Sequence, residues 1–288
     1  VDITGTGVPP LNTFIDLHLH STASDGAEAP ADVARLAAER GLVAIALTDH
    51  DSVSGLPAAQ LAADAHGVRL IGGCEFSVAV TWGEMHLLGY FLPVADPRLD
   101  LYLEECRADR ERRARGMVHK LRSLGVEITD EQVMAEADGG AVGRPHVARA
   151  LVRIGAVANV NAAFDKYLGR SRPAFVEKAL PPFAEVAALV HALGGIVSAA
   201  HLKDRGTRTN LRLLRDQGLD AIETRHPSHD GEMRARLTDI AAELGLGRSG
   251  GSDWHGDGPA GYGHSEMGSQ EVPMDWLEAL EARRPVAA

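Results

Sequence analysis

Short apolar runs rich in Val, Ile and Leu alternate with helical patterns along most of this chain, and nearly every run ends in a histidine or a carboxylate. The alternation constrains the fold, because βα units demand a mostly parallel sheet covered by helices. A first strand is expected from about Phe14 to His20. Pro30 then sits where a first helical turn tolerates proline, Val33, Leu36 and Ala37 make an apolar stripe, and Gly41 marks the stop. A strand over Leu42 to Thr48 follows directly. Helix and strand pairs recur at 57–65 with 68–75, 183–193 with 195–201, 211–216 with 219–224 and 232–244 with 246–253, and a further strand covers 85–91. About seven strands suffice for a barrel of the (β/α) kind, slightly short of eight units.

The alternation stops between Tyr102 and Arg172. Ala114, Met117, Val118, Leu121 and Leu124 fall on one helical face, and further helices follow without strands between them. Residues 104–172 therefore read as a helical subdomain inserted into a barrel made of residues 12–103 and 173–288. Insertions of this kind enlarge loops and leave the core intact.

At 288 residues the chain can bury a sizeable core. It has no long apolar run and no charged segment leading into an apolar one at its start, so neither a membrane span nor a signal peptide is expected. Cys74 and Cys106, the two cysteines, offer no disulfide framework, and a cytoplasmic protein is expected. The net charge of −11 argues against duplex DNA or an anionic membrane as partner. That charge is uneven: residues 104–172 carry 13 Lys and Arg against 10 Asp and Glu, leaving 16 against 30 elsewhere. The basic segment could face an anionic substrate.

The acids and histidines are concentrated at strand ends. His18 and His20 lie one residue apart, a spacing that puts both imidazoles on one face of a strand. The second strand runs into Asp49-His50-Asp51, the third ends at Glu75, and later ones reach His201, Glu223 with His226, and Asp253-Trp254-His255. In α/β barrels the C-terminal face holds the active site, so these scattered residues converge there. Asp49 and Asp51 suit turn caps better than ligands. Glu75 follows a buried-looking Leu70-Ile71-Gly72-Gly73-Cys74, where a cation would compensate its charge. His86 lies early in its strand, and spacing alone leaves it undecided. Imidazole and carboxylate without thiolate suit Mn²⁺, Fe²⁺ or Zn²⁺, and the ligand count calls for two or three ions with Glu75 as a bridge. Such ions generate hydroxide and clamp phosphoryl oxygens.

The set His18-Leu19-His20 with Ser24-Asp25-Gly26, Thr48-Asp49-His50-Asp51, Gly73-Cys74-Glu75, Met85-His86, Ala200-His201 and Gly251-Ser252-Asp253-Trp254-His255 resembles the polymerase and histidinol phosphatase (PHP) superfamily of metal-dependent phosphoesterases. The resemblance implies a distorted (β/α)7 barrel of PHP type. It also implies that His18, His20, Glu75 and Asp253 hold one ion, Glu75, His86 and His201 a second, and Asp25, His50 and His255 a third.

Gly143-Arg144-Pro145-His146-Val147-Ala148-Arg149, Lys166-Tyr167-Leu168 and Arg172-Pro173-Ala174-Phe175-Val176 resemble the branch of 3′,5′-nucleoside bisphosphate phosphatases, which is also associated with RNA 5′-end trimming. That likeness implies that the insertion closes over the ions and that Arg144 and His146 contact a phosphate, with Arg172, Ser228, His229 and His264 as weaker substrate candidates. Where family members commonly carry proline after the histidine matching His201, this chain has Leu202, then Lys203-Asp204-Arg205.

The expected activity is hydrolysis of the 3′-phosphate of a nucleoside 3′,5′-bisphosphate to the 5′-monophosphate, with Asp253 at the reaction centre. His226, His229 or a water on the metal would protonate the leaving oxygen. The alternatives are a 5′-to-3′ exonuclease on short 5′-phosphorylated RNA, a histidinol phosphatase, and a non-catalytic metal-binding module.

Overall fold

The structure, a computed structural model, describes residues 14–257 and 265–285. Its first part runs β1 (Phe14–Leu19), α1 (Pro30–Glu39), β2 (Ala44–Leu47), α2 (Leu56–His66), β3 (Arg69–Val80) and β4 (Gly83–Tyr90). Helices then follow one another: α3 (Pro97–Ser123), α4 (Asp130–Ala137), α5 (Arg144–Arg153) and α6 (Val160–Ala163), the last continuing into a π-helical turn at Phe164–Leu168. The α/β alternation resumes with α7 (Phe183–Ala192), β5 (Ile196–Ala199), α8 (Arg208–Arg215), β6 (Ala221–Arg225), α9 (Gly231–Leu244), β7 (Gly247–Gly250), β8 (Val272–Pro273) and α10 (Met274–Glu281).

Eight strands pair in the order β7-β6-β5-β4-β3-β2-β1-β8, one more than the sequence pattern counts. The additional strand is β8, two residues antiparallel to β1, too short to show any alternation. The β1–β2, β2–β3, β5–β6 and β6–β7 pairs are parallel, whereas β4 is antiparallel to both β3 and β5. The sheet curls into a nearly closed barrel, and the segment after β7 comes round to β1. Trp254 bridges Leu19, and the His20 N–H donates to the Trp254 carbonyl at 3.0 Å. Asp16, fully buried in β1, accepts from the backbone N–H groups of Ser252 at 2.9 Å and Gly268 at 2.8 Å. A buried carboxylate needs such donors, and here they lock the seam.

Sequence explains most of the helix limits. Pro30 opens α1, Asp96 caps α3 by accepting from the Arg98 N–H at 2.9 Å, and Thr129 with Gln132 forms a reciprocal capping box on α4. Gly67 ends α2 at φ 71°, a left-handed value that costs glycine little. The long helix α3 belongs to two cores. Its first turns bury Leu99 and Leu103 with Phe76, Leu87 and Val190 against the sheet. Further along, Ala114, Met117, Val118 and Leu121 pack with Val147, Leu151, Leu168 and Ala174 in a separate cluster drawn only from residues 114–174. Leu124 departs from the expected stripe: it lies just past the end of α3 and is 48% exposed. Among the described residues no helix is long and apolar enough to cross a membrane.

Candidate metal centre

The barrel's topology brings the histidines and acids together at one end. His18 lies in β1 and His20 directly follows it, and both are fully buried. The loop after β1 carries Asp25 and is pinned by Asp49, which accepts from the Ser21 N–H (2.8 Å), the Ser21 hydroxyl (2.7 Å) and the Ser24 hydroxyl (2.6 Å). Asp51 instead forms a buried ion pair with Arg110 of α3 at 2.6 Å. His50 follows β2 and bridges Glu75 through the backbone.

Glu75 does not end its strand as expected. It lies within β3, just beyond the point where that strand changes partner: Gly72 still pairs with Leu47 of β2, while Gly73 pairs with Tyr90 of β4. The same change explains His86. Because β4 is antiparallel to its neighbours, its beginning reaches the end of the barrel where the parallel strands finish, so an early position is the right one. His201 and Asp253 follow β5 and β7 with φ values of 29° and 52°. Non-glycine residues hold this left-handed conformation at a cost of about 1–3 kcal/mol each, a strain concentrated at functional sites.

Glu75 is the hub. One carboxylate oxygen lies 3.3 Å from His18 Nε2, 3.2 Å from His20 Nε2 and 3.1 Å from His50 Nδ1. The other lies 2.8 Å from His86 Nδ1 and 3.0 Å from His201 Nε2. Asp253 Oδ1 is 3.3 Å from both His18 Nε2 and His20 Nε2, and Asp25 Oδ1 is 3.4 Å from His255 Nε2. Four groups among the described residues could hold a cation: His18, His20, Glu75 and Asp253; His50, Glu75 and His86; His20, Asp25, His50 and His255; and His18, Glu223 and His226.

The residues fit divalent cations on three counts. His18 Nε2, both nitrogens of His20, Asp25 Oδ1 and His50 Nδ1 are buried without a hydrogen-bond partner among the described residues, an arrangement that leaves their lone pairs for another acceptor of electrons. His18 gives its Nδ1–H to Glu223 at 3.1 Å and His255 its Nδ1–H to the Asp253 carbonyl at 2.8 Å, and each ring then directs a bare Nε2 inward. Metal-binding histidines are characteristically oriented this way. The electrostatics agree. Burial disfavours the His18 imidazolium, yet Asp253, Glu75 and Glu223 outweigh burial and hold its pKa well above the ordinary value. Burial likewise opposes charge on His20, and Asp253 and Glu75 raise it to about 10. Burial raises the carboxyls of Glu75 and Asp253, but the surrounding imidazoles dominate and hold both well below the carboxylate range. A site that draws this much positive charge suits cations held by oxygen and imidazole nitrogen.

Residues of the expected Glu223-to-His229 stretch complete the site, and the structure shows what each of them touches. Glu223, fully buried in the middle of β6, orients His18 and accepts from the His201 N–H at 2.7 Å. His226 accepts at Nδ1 from the Ser228 N–H at 3.0 Å, which leaves its proton on Nε2, 3.3 Å from Asp253 Oδ2. Ser228 is itself exposed and adds a 2.8 Å hydroxyl contact to the same nitrogen. His229 turns both nitrogens to the backbone, accepting from Lys203 N–H at 3.3 Å and facing the Thr224 carbonyl at 3.4 Å. Burial lowers it to about 4, which keeps it neutral.

Beside the metal cluster opens a cavity of about 350 Å³. His86, His201, Glu84, Trp82 and Phe175 line it together with the guanidinium groups of Arg144, Arg170 and Arg205. Arg144 begins α5, and its guanidinium lies 5.7 Å from the ring centres of both Phe164 and Phe175. Arg205 comes from the Lys203-Asp204-Arg205 stretch that follows Leu202.

Other expected substrate residues fall elsewhere. His146 presents neither nitrogen to the cavity: it accepts from the Gly143 N–H at 2.9 Å and donates to the Ser24 carbonyl at 3.0 Å, tying α5 to the Asp25 loop. Arg172 is exposed and does not line the cavity, where Arg170 stands instead. His264 lies outside the described residues.

Comparison with known proteins gives this geometry its context. The profile of the PHP domain matches residues 16–244. A 3′,5′-nucleoside bisphosphate phosphatase of Chromobacterium violaceum is 35% identical over 279 residues, covering 93% of this chain and 97% of the relative. A 5′-3′ exoribonuclease of Haemophilus influenzae is 34% identical over 245 residues, covering 83% and 89%. Among solved structures, one from Bifidobacterium adolescentis named as a metal-dependent phosphoesterase superposes with a TM-score of 0.85 at 29% identity, covering 95% of this chain and 97% of the other. The profile spans the strands that deliver His18, His20, His50, Glu75, His86 and His201, and a relative 35% identical covers 93% of this chain: the chain belongs to the PHP domain family.

Proposed function

We propose that the chain is a cytoplasmic, metal-dependent phosphomonoesterase that removes the 3′-phosphate of a nucleoside 3′,5′-bisphosphate and leaves the 5′-monophosphate. One observation carries this reading: a single cavity of nucleotide size has His86 and His201 on one side and Arg144, Arg170 and Arg205 in its lining. A substrate with two phosphates can place one at the metal cluster and the other on guanidinium groups, whose planar fork matches phosphate oxygens. The relative named as a 3′,5′-nucleoside bisphosphate phosphatase supports the same substrate class.

In this reading His18, His20, Glu75 and Asp253 hold one ion, Glu75, His86 and His201 a second, and Asp25, His50 and His255 a third, with Mn²⁺ as the metal. When bound, such ions acidify water and take up charge on phosphoryl oxygens. Glu223 keeps His18 in the tautomer that presents Nε2. Arg144 and Arg170 hold the second phosphate, and residues 104–172 act as the substrate cap that carries them. Of the two candidate histidines, His226 faces Asp253 through Nε2 and, as an imidazolium, would pass a proton to the leaving ribose oxygen and end neutral, whereas His229 turns both nitrogens to the backbone.

The test is phosphate release by Mn²⁺-loaded protein from adenosine 3′,5′-bisphosphate, histidinol phosphate and a 5′-phosphorylated oligoribonucleotide, ranked by kcat/KM. The bisphosphate is expected to lead, and Arg144→Ala to erode its advantage over a monophosphate. Preference for histidinol phosphate overturns the reading. Faster cleavage of the oligoribonucleotide favours the second reading, a 5′-to-3′ exoribonuclease, which the Haemophilus influenzae relative supports.

A further inference from the structure

A second cavity, of about 360 Å³, lies behind the loop that carries His226 and His229, between β6, β7, α9 and α10. Its lining includes Arg225, Arg234 and Arg248, with Glu271 as its carboxylate. None of the three arginines forms a salt bridge among the described residues. Arg225 donates to the carbonyls of Gln270 (3.2 Å) and Glu271, and Arg234 to those of His229 (2.9 Å) and His226 (3.3 Å) and to the Gln270 side chain (2.7 Å). The Arg248 side chain makes no hydrogen bond among the described residues, and its guanidinium stacks 4.3 Å from the centre of the Trp276 ring, with that of Arg225 at 5.1 Å.

Such convergence is costly without a ligand. Burial, then the like charges of Arg234 and Arg248, holds Arg225 below its ordinary pKa. A second observation concerns the wall of the same cavity: Thr224 belongs to its lining, is 1% exposed, and its hydroxyl has no hydrogen-bond partner among the described residues. A buried hydroxyl left unpaired costs free energy that a ligand oxygen would recover. Guanidinium forks and a hydroxyl donor together match a tetrahedral oxyanion, and three guanidinium groups against the carboxylates of Glu271 and Asp275 leave an excess of positive charge that an anion balances.

We propose that this cavity is a binding site for a phosphate group, separate from the metal centre and connected to it through the His226 loop. The group could arrive as orthophosphate or on a nucleoside monophosphate; the recognising chemistry is the same. Arg248 supplies its free fork, Arg225 and Arg234 their remaining N–H donors, and Thr224 its hydroxyl. The site does not depend on which phosphoester the metal centre cleaves.

The experiment is calorimetric titration of the metal-loaded protein with orthophosphate and, separately, with AMP, comparing wild type with Arg248→Gln and Thr224→Val. Two binding events are expected for at least one ligand in the wild type. The event outside the metal centre weakens by at least about tenfold in Arg248→Gln, the loss of one charge-assisted contact. Repeating the titration on chelator-treated protein without added metal removes only the other event. A second event with orthophosphate alone identifies the free anion as ligand, and one with AMP alone the nucleotide. Thr224→Val changes one hydroxyl for a methyl of similar size, so it keeps the test valid should Arg248→Gln fold poorly. A single event in the wild type, or two events unchanged in both variants, overturns the proposal. Neither result bears on phosphate release at the metal centre.

Discussion

Glu223→Gln isolates what a residue outside the ligand set contributes to the metal centre. The carboxylate is fully buried and serves two donors, His18 Nδ1–H at 3.1 Å and the His201 N–H at 2.7 Å. Glutamine keeps the volume but has one carbonyl oxygen and one amide that only donates. If the oxygen stays on the shorter His201 bond, the amide meets His18 Nδ1. That nitrogen must then accept, so the ring proton moves to Nε2 and occupies the lone pair aimed at Glu75 and Asp253. Loss of such a supporting bond typically weakens metal affinity about 10–100-fold, equivalent to about 1.4–2.7 kcal/mol. The assay is Mn²⁺ titration of chelator-treated wild type and variant, followed by activity against Mn²⁺ concentration. Activity should return substantially at saturating metal, since the ligands themselves remain. An affinity within about twofold of wild type would refute the tautomer argument.

Arg110→Ala strands the buried Asp51 carboxylate and should cost about 3–5 kcal/mol by urea denaturation; Asp51→Asn combined with it should recover part of that, and a purely additive pair would remove the coupling. Asp253→Asn should abolish turnover with the circular dichroism spectrum unchanged, and full activity would take Asp253 out of the centre. His146 gives a pH signature: burial lowers its folded pKa to about 4 against about 6.5 unfolded, so only the unfolded chain takes up a proton between these values. Its contribution is fully present above about pH 6.5 and lost as pH falls, by about 2 kcal/mol at pH 5. The stability difference between wild type and His146→Gln should shrink accordingly from pH 7 to pH 5, and a constant difference would contradict a neutral, buried imidazole.

Much of the barrel is legible because its chemistry is periodic. Alternating strands place His18 and His20 on one face, and parallel βα units put His50, His201 and Asp253 at one end. What the sequence conceals is direction and company. Nothing in Met85-His86-Leu87 shows that β4 runs antiparallel, yet that alone makes an early histidine a neighbour of Glu75. Glu223 and Asp16 are carboxylates in apolar strands, and only the fold reveals that one orients a histidine and the other closes the barrel. Arg172 and Arg170 are alike in charge and nearly adjacent, so side-chain direction decides which reaches the cavity. His146 follows Arg144 on α5, yet its contacts are with Gly143 and Ser24.

The seam held by Asp16 has a consequence for how the molecule assembles. Its bonds to Ser252 and Gly268 join residues 236 and 252 positions apart, whereas β3 and β4 form a local hairpin. Loop-closure entropy makes such long-range joins slow, so the hairpin bearing Glu75 and His86 can form early and the seam late. Asp253 and His255 ride on the closing segment and reach His18 and His20 only as it docks. A cation bound by both ends of the chain would therefore also be a clasp, and the factor by which closure strengthens its binding equals the factor by which its binding favours closure.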